Sequence, residues 1–175
     1  MTSNSRVISE TKKALRPRFE ALGFRRSRRG GVYRRDFDSE GLMYVMCRPN
    51  LRSGHVVLEP LIAIENLRLR RLIGESKQVE PRIAHLYLSY TVDRPYTFWT
   101  FSNSEDMHGV IDEIENTLRA GGIPFAERWT PFRQAVELMR RGFSRQDLPK
   151  GVFIHPTRNW RAIIDSLPES GDPIH

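Results

Sequence analysis

The sequence predicts an α+β domain, with an antiparallel sheet of about five strands packed on one face by N-terminal and C-terminal helices. Apolar residues recur at helical spacing near both ends of the chain, and they alternate with polar residues through its middle. Short polar loops join the alternating runs, as in hairpin-rich antiparallel sheets. With 175 residues, of which 39% are hydrophobic, the chain is long enough to bury a core of its own.

The first helix is predicted over residues 7–22, where Leu15 and Phe19 belong to an apolar stripe at helical spacing. Gly23 follows at the position where a residue in the left-handed conformation ends a helix. Pro17 lies inside the pattern. Because proline removes a backbone hydrogen bond, we expect a kink or a break there.

Five runs with two-residue periodicity predict strands, and they cover residues 32–37, 42–48, 55–64, 83–92 and 96–101. The polar turn at residues 38–41, DSEG, joins the first two runs into a hairpin. Pro60 lies inside the third run, where it indicates an edge strand or a bulge because proline cannot donate to the ladder. Residues 65–82 are predicted to form a short helix or an irregular crossing to the fourth strand.

A helix is also predicted after the strands. Asn103 or Ser104 caps it, and Glu105 and Asp106 lie in its first turn, where acidic side chains favour the helix dipole. Its buried stripe consists of Met107, Val110, Ile111, Ile114 and Leu118. The pair Gly121-Gly122 is predicted to end this helix with a turn.

The next helix is predicted from Thr130, as its cap, to Gly142, with Pro131 at its first position. Four apolar residues at helical spacing predict a last amphipathic helix: Trp160, Ile163, Ile164 and Leu167. We therefore divide the chain into a single α+β domain over residues 1–142 and a C-terminal extension over residues 143–175. The short helix of the extension is expected to dock on the domain or on a partner.

The order of these signals is similar to that of a known bacterial family. A leading helix runs into Leu22-Gly-Phe24, an arginine-rich turn precedes Val32-Tyr-Arg-Arg35, and the segment NTLRAGGIPF at residues 116–125 precedes a short helix. Over roughly residues 7–142 the chain resembles the family catalogued as domain of unknown function 4304. The resemblance implies an α+β fold without an assigned reaction, catalytic set or cofactor. Small domains of this kind are often suspected of being immunity or partner proteins beside toxins.

No residue pattern predicts catalysis, a metal or a cofactor. The five histidines show no metal-ligand spacing, and the single cysteine, Cys47, excludes an internal disulfide and lies in a hydrophobic strand, where thiols are usually inert. The glycine pairs match neither a P-loop nor a nucleotide-binding pattern. A hydrolase built on His55, His85 and Glu59 is the remaining enzymatic alternative, but polar residues on the open face of a sheet are the simpler interpretation.

The sequence also predicts a cytoplasmic protein without a membrane partner. No apolar run approaches the length of a membrane span, and the start, MTSNSRVISETKK, lacks the apolar stretch of a signal peptide. The single cysteine fits a reducing compartment.

Positive charge is concentrated near the start of the chain. The first 35 residues hold eleven Lys or Arg against two acidic residues, and the stretch GFRRSRRGGVYRR holds six arginines in thirteen positions. The candidates for contact with an anion or with nucleic acid are Arg25, Arg26, Arg28, Arg29 and Arg34. Arg34 and Arg35 point to opposite faces of a strand, however, and no aromatic residue is interleaved in RRSRR to stack on bases.

Two function classes follow from this charge distribution. Because charge runs are usually solvated, we predict first a non-enzymatic module that binds another protein, with toxin immunity as one form of that role. The alternative is a nucleic-acid-binding accessory domain that uses the arginine cluster. An inhibitor that imitates nucleic acid should be acidic where it docks, so an immunity role requires an acidic target or a contact through the acidic helix at residues 105–115. The oligomeric state stays open.

Overall fold

The computed structural model describes residues 3–27, 30–73, 83–144, 148–154 and 158–167. It confirms the α+β class, with helices and two antiparallel sheets. The helices are α1 Ser3–Ala21, α2 Leu67–Ile73, α3 Ser104–Thr117, α4 Ile123–Trp129, α5 Phe132–Ser144 and α6 Arg158–Ser166. The strands are β1 Arg25–Arg26, β2 Val32–Asp36, β3 Gly41–Met46, β4 Asn50–Arg52, β5 His55–Leu58, β6 Leu61–Asn66, β7 Ala84–Tyr87 and β8 Trp99–Phe101.

The strands form a five-stranded sheet in the order β1-β2-β3-β6-β7 and a three-stranded sheet in the order β4-β5-β8. The prediction of one continuous strand over residues 55–64 is therefore wrong. Pro60 separates β5, which pairs with β4 and β8, from β6, which lies between β3 and β7. Since proline has no amide hydrogen to continue a ladder, the chain leaves one sheet there and enters the other.

The fourth and fifth predicted strands are shorter than the sequence pattern suggests. After β7 the chain forms a 3₁₀ helix over Leu88–Val92, and β8 covers only the last three residues of the run 96–101. Local bonds replace the ladder in the 3₁₀ helix, because the Thr91 hydroxyl donates to the Leu88 carbonyl at 2.7 Å and the Asp93 amide donates to the Tyr90 carbonyl at 3.3 Å.

Helix α1 runs without interruption through Pro17, so a break at that residue is not observed. Pro17 is exposed. The carbonyl that it leaves without a backbone donor therefore lies on the solvent side of the helix, where water can bond to it. Gly23 has a φ of +82°, as its predicted role at the end of the helix requires.

The core lies between the inner face of the five-stranded sheet and the helices. The buried residues of this face alternate along β2, β3, β6 and β7 and are Tyr33, Met43, Val45, Ile62, Ile64, Ala84 and Leu86. From α1, Phe19 packs edge-on against Tyr33 with ring centroids 4.5 Å apart. Asn103 caps α3 as predicted, since its side chain accepts a hydrogen bond from the Asp106 amide at 2.8 Å.

The predicted helix end at Gly121-Gly122 is wrong. Helix α3 continues through a π turn over Leu118–Gly122 directly into α4. A Cβ at Gly121 would collide with the Thr91 hydroxyl and would lie 2.7 Å from the Thr91 carbonyl oxygen. Glycine is present because the 3₁₀ helix approaches the backbone closely, and not because the chain turns.

The C-terminal segments pack on the same core. Residues 148–154 reach the edge of the five-stranded sheet, where Phe153 and His85 exchange two backbone hydrogen bonds of 2.8 and 3.0 Å. Helix α6 buries Trp160 and Ile164 and contacts α2 and α5. Helix α5 extends past the predicted end at Gly142, where a Cβ would lie 2.7 Å from Ile154. Within the described residues, no helix combines the length and the apolar character needed to cross a bilayer.

Candidate functional site

The predicted arginine cluster is divided between the two faces of the five-stranded sheet. Arg25 lies directly opposite Arg34 in the β1–β2 ladder, so their side chains share the outer face. Both guanidinium groups bind one carboxylate, Asp36, at 3.7 and 2.7 Å. Arg28 and Arg29 lie outside the described residues. One acidic side chain thus balances part of the outer positive charge.

Arg26 projects to the inner face of the sheet. It lies opposite the buried Tyr33, and it therefore points toward the α1 side of the molecule. Arg35, on the same face, places its guanidinium 5.0 Å from the ring centroid of Phe37 and 3.9 Å from Glu127. The alternation that separates Arg34 from Arg35 in the sequence therefore also separates Arg25 from Arg26.

Arg26 lines a basic cavity of about 300 Å³ between α1, the β1–β2 connection and the chain that follows β3. Four basic side chains border it: Lys12, Arg16, Arg26 and Arg48. The other lining residues are uncharged: Leu15, Gly30, Gly31, Tyr33, Cys47, Pro49 and Asn50. No carboxylate lines the cavity in the described part of the chain. Three segments distant in sequence thus bring positive charge to one concave site.

Cys47 forms part of the apolar floor of this cavity. Its side chain is 1% exposed, and burial raises the pKa of its thiol to about 12 although basic groups surround the cavity. Desolvation disfavours the thiolate, because its negative charge would lie in an apolar environment. The thiol therefore stays protonated at neutral pH, and the structure gives it no nucleophilic character.

A second candidate surface is an aromatic strip formed by Phe153, His85, Tyr87, Tyr96 and Phe98. His85 and Tyr87 project from the same face of β7, the last strand of the five-stranded sheet. The ring of His85 stacks on Phe153 with centroids 5.5 Å apart. Tyr87 contacts Tyr96 at 4.4 Å, and Tyr96 contacts Phe98 at 4.7 Å.

Two charged residues complete the Phe98 end of the strip. The guanidinium of Arg52 lies 5.5 Å from the ring centroid of Phe98, and it forms an ion pair of 3.0 Å with Glu59. The Tyr96 hydroxyl donates to Glu59 at 3.2 Å. Partial desolvation of its hydroxyl, a hydrogen bond with Tyr87 and the charge of Glu59 raise the pKa of Tyr96, so this ring stays neutral.

The aromatic strip was not predicted, although the sequence contains one signal for it. Strand periodicity over residues 96–101 places Tyr96 and Phe98 on the side opposite Trp99 and Phe101, which are buried. Two large rings could therefore have been assigned to an outer surface. Phe153 has no such signal, because it lies in a segment without periodicity and reaches β7 only through the tertiary fold.

The hydrolase alternative requires His55, His85 and Glu59 to converge in one cleft. His55 lies on the three-stranded sheet, where its Nδ1 is 2.6 Å from the Ser102 hydroxyl, and Glu59 is engaged by Arg52 and Tyr96. His85 belongs to the other sheet. The described residues also contain no group of three or more His, Cys, Asp or Glu side chains that could hold a metal ion. Each of the three side chains thus has its own partners.

Comparisons with protein-family models, with curated proteins and with solved structures find no match for this chain. The resemblance to the family of domain of unknown function 4304 stays a prediction.

Proposed function

We propose that this protein is a non-enzymatic module that binds another protein through the aromatic strip. The exposure of its rings carries the proposal. In the part of the chain that the structure describes, five large hydrophobic side chains are exposed, and three of them belong to the strip: Tyr96 at 37%, Phe98 at 43% and Phe153 at 48%. Contiguous exposed apolar patches with a polar rim are typical of interaction sites.

The composition of the strip supports a protein partner. Tyrosine, phenylalanine and arginine are enriched at the centres of protein interfaces, where buried rings contribute most of the binding energy. Contacts between neighbouring rings and the Arg52–Glu59 pair restrict the side chains before binding. Because fewer rotamers are lost on association, this restriction favours affinity.

The same geometry argues against single-stranded nucleic acid as the ligand of the strip. The rings of Tyr87, Tyr96 and Phe98 meet edge to face, with interplanar angles of 63° and 71°, and so do not form a common flat platform. Glu59 lies between Arg52 and Tyr96 and would repel a phosphate backbone.

The acidic helix α3 is a weaker candidate for the contact with a toxin. Asp112 binds Arg18 at 2.6 Å, Glu113 binds Arg94 at 2.6 Å, and Glu115 is bound by both Arg18 and Arg119. The carboxylates of its second half are therefore largely neutralised within the chain. If the partner is a toxin, we expect the strip to be the contact surface.

Photo-crosslinking from position 98 tests the proposal. A photoreactive phenylalanine analogue at Phe98 should crosslink one protein in host cells, and the same analogue at Leu72 should not. Leu72 is the matched control because it is 41% exposed and lies outside the strip, on α2. The purified partner should then bind the Phe98→Ala variant at least about tenfold more weakly than the unchanged protein.

Equal crosslinking from positions 98 and 72, or none from position 98, would contradict the proposal. The immunity form of the role has its own test, since the crosslinked protein should be toxic to cells that lack this chain.

A further inference from the structure

We propose that the basic cavity binds the phosphate group of a small phosphate monoester, such as a nucleoside monophosphate. The cavity shares no residue with the aromatic strip, so this inference does not depend on the proposed function. It rests on the convergence of four basic side chains, on their ion pairing and on the size of the site.

The fold brings the four charges together from both sides of the cavity. Lys12 and Arg16 are four residues apart on α1 and so lie on one face of that helix. Arg26 projects from β1 toward the same helix, and Arg48 follows β3. Like charges in one concave site repel one another, and a bound anion or an ion pair within the chain would reduce this repulsion.

Ion pairs within the described part of the chain do not compensate three of the four cations. Most arginines in the described part of the chain bind a carboxylate, including Arg18, Arg25, Arg34, Arg52 and Arg94. In contrast, Lys12, Arg26 and Arg48 form no ion pair with any described residue, and only Arg16 has a carboxylate partner, Glu20, at 2.7 Å. The local excess of three positive charges matches a phosphate monoester dianion better than a single carboxylate.

The position of Arg48 is fixed by the backbone on which it lies. Its Nε donates to the Gly30 carbonyl at 3.2 Å, which leaves the two terminal nitrogens of the guanidinium for an anion. Its stem crosses Gly31, where a Cβ would lie 2.5 Å from the Arg48 Cγ. Gly31 has a φ of +75°, so glycine serves both the turn and the close approach of this side chain.

The volume and the floor of the cavity define the size of the ligand. About 300 Å³ is at the lower end of the range of small-molecule sites. Leu15, Tyr33 and Pro49 provide apolar surface beside the charges, where a small organic body can pack. A concave site of this size suits one phosphate and its substituent, whereas a polymer would need a continuous groove.

Calorimetric titration of the full chain with adenosine 5′-monophosphate and with inorganic phosphate tests the proposal. We expect saturable one-to-one binding, weakened about tenfold or more by Arg26→Gln because a charge-assisted contact is lost. Arg25→Gln is the matched control, since it removes the same charge from the neighbouring residue on the opposite face. This variant should change the affinity by less than about twofold.

Two further measurements exclude misfolding as the cause of weaker binding. The circular dichroism of each variant should match that of the unchanged protein, and Arg48→Gln should reproduce the loss seen with Arg26→Gln. Tighter binding of adenosine 5′-monophosphate than of inorganic phosphate would assign a role to the apolar floor, and equal binding would assign the site to the phosphate alone; both support the proposal.

Three results would overturn it. The first is the absence of saturable binding at millimolar concentrations. The second is an equal loss of phosphate affinity in the Arg25 and Arg26 variants. The last is binding of an oligonucleotide with hydroxyl ends that is as tight as binding of the monophosphate. The last result would indicate a polyanion surface and not a monoester site.

Discussion

Helix α3 and the basic cavity show two ways in which one chain balances its charges. Asp112, Glu113 and Glu115 of α3 each have an arginine within 3.0 Å, supplied from α1, from the loop after the 3₁₀ helix or from the following turn. Around the cavity, Lys12, Arg26 and Arg48 have no such partner among the described residues. A run of charges in the sequence therefore does not reveal whether the folded surface is charged, because pairing is decided by tertiary structure.

The largest effect at neutral pH is expected where one member of an ion pair is buried. Glu65 is 5% exposed in its side chain, and it binds Arg70 of α2 at 2.9 Å. Arg70→Met would leave this carboxylate with its Tyr44 contact but without its cation, so we expect the free energy of unfolding to fall by about 3 kcal/mol. Urea denaturation measures this change.

The double variant Glu65→Gln, Arg70→Met serves as the control, because it removes both charges. It should recover most of the lost stability. An unchanged midpoint in the single variant would mean that the pair does not stabilise the contact between α2 and the sheet.

The pH dependence of stability tests whether the floor of the cavity is dry. The pKa of the Cys47 thiol is raised from 9.0 to about 12 in the folded chain, so above pH 9 the unfolded chain releases a proton that the folded chain retains. Stability should therefore fall as the pH rises from 9 to 12, with a contribution of about 1.4 kcal/mol per pH unit from this group.

In the Cys47→Ala variant, the free energy of unfolding should fall less steeply with pH, by about 1.4 kcal/mol per pH unit. Urea denaturation at each pH measures this difference. Parallel profiles for the two proteins would indicate that the thiol titrates alike in both states, and hence that water reaches it in the folded chain.

The smallest change in stability is expected when a paired and an unpaired cation of the same helix are each neutralised. At low salt, Arg18→Gln should lower the unfolding free energy by about 0.5–1 kcal/mol, because it removes the partner of Asp112 and one of the two partners of Glu115. Lys12→Gln should leave stability unchanged or raise it by up to about 0.5 kcal/mol, since it relieves repulsion. Thermal unfolding at two salt concentrations measures both. Equal destabilisation would show that Lys12 has a partner in the folded chain.

The parts of the fold that could be predicted depend on local chemistry. The Asn103 cap, the buried stripe of α3 and the left-handed Gly23 each follow from a few neighbouring residues. Pro60 was recognised as an interruption, but its consequence, a change of sheet, depends on which strands pair. Gly121 was misinterpreted because a glycine that permits close packing and a glycine that makes a turn look alike in sequence.

The candidate sites were predicted only in part, for the same reason. Alternation along a strand separates Arg34 from Arg35 and can be read from sequence. The convergence of Arg26 with Lys12, Arg16 and Arg48 cannot be read from sequence, because it depends on the packing of α1 against the sheet and on the path of the chain after β3. Sequence proximity groups Arg25 with Arg26, which the fold places on opposite faces of the sheet.

The outermost strands of the five-stranded sheet are both protected against the addition of another strand. The backbone of β7 is bonded to Phe153, and β1 is only two residues long and consists of two arginines. Short, positively charged strands and covered backbone groups prevent copies of a protein from joining edge to edge. The two arginines of β1 and the bonded edge of β7 thus disfavour edge-to-edge association at high concentration.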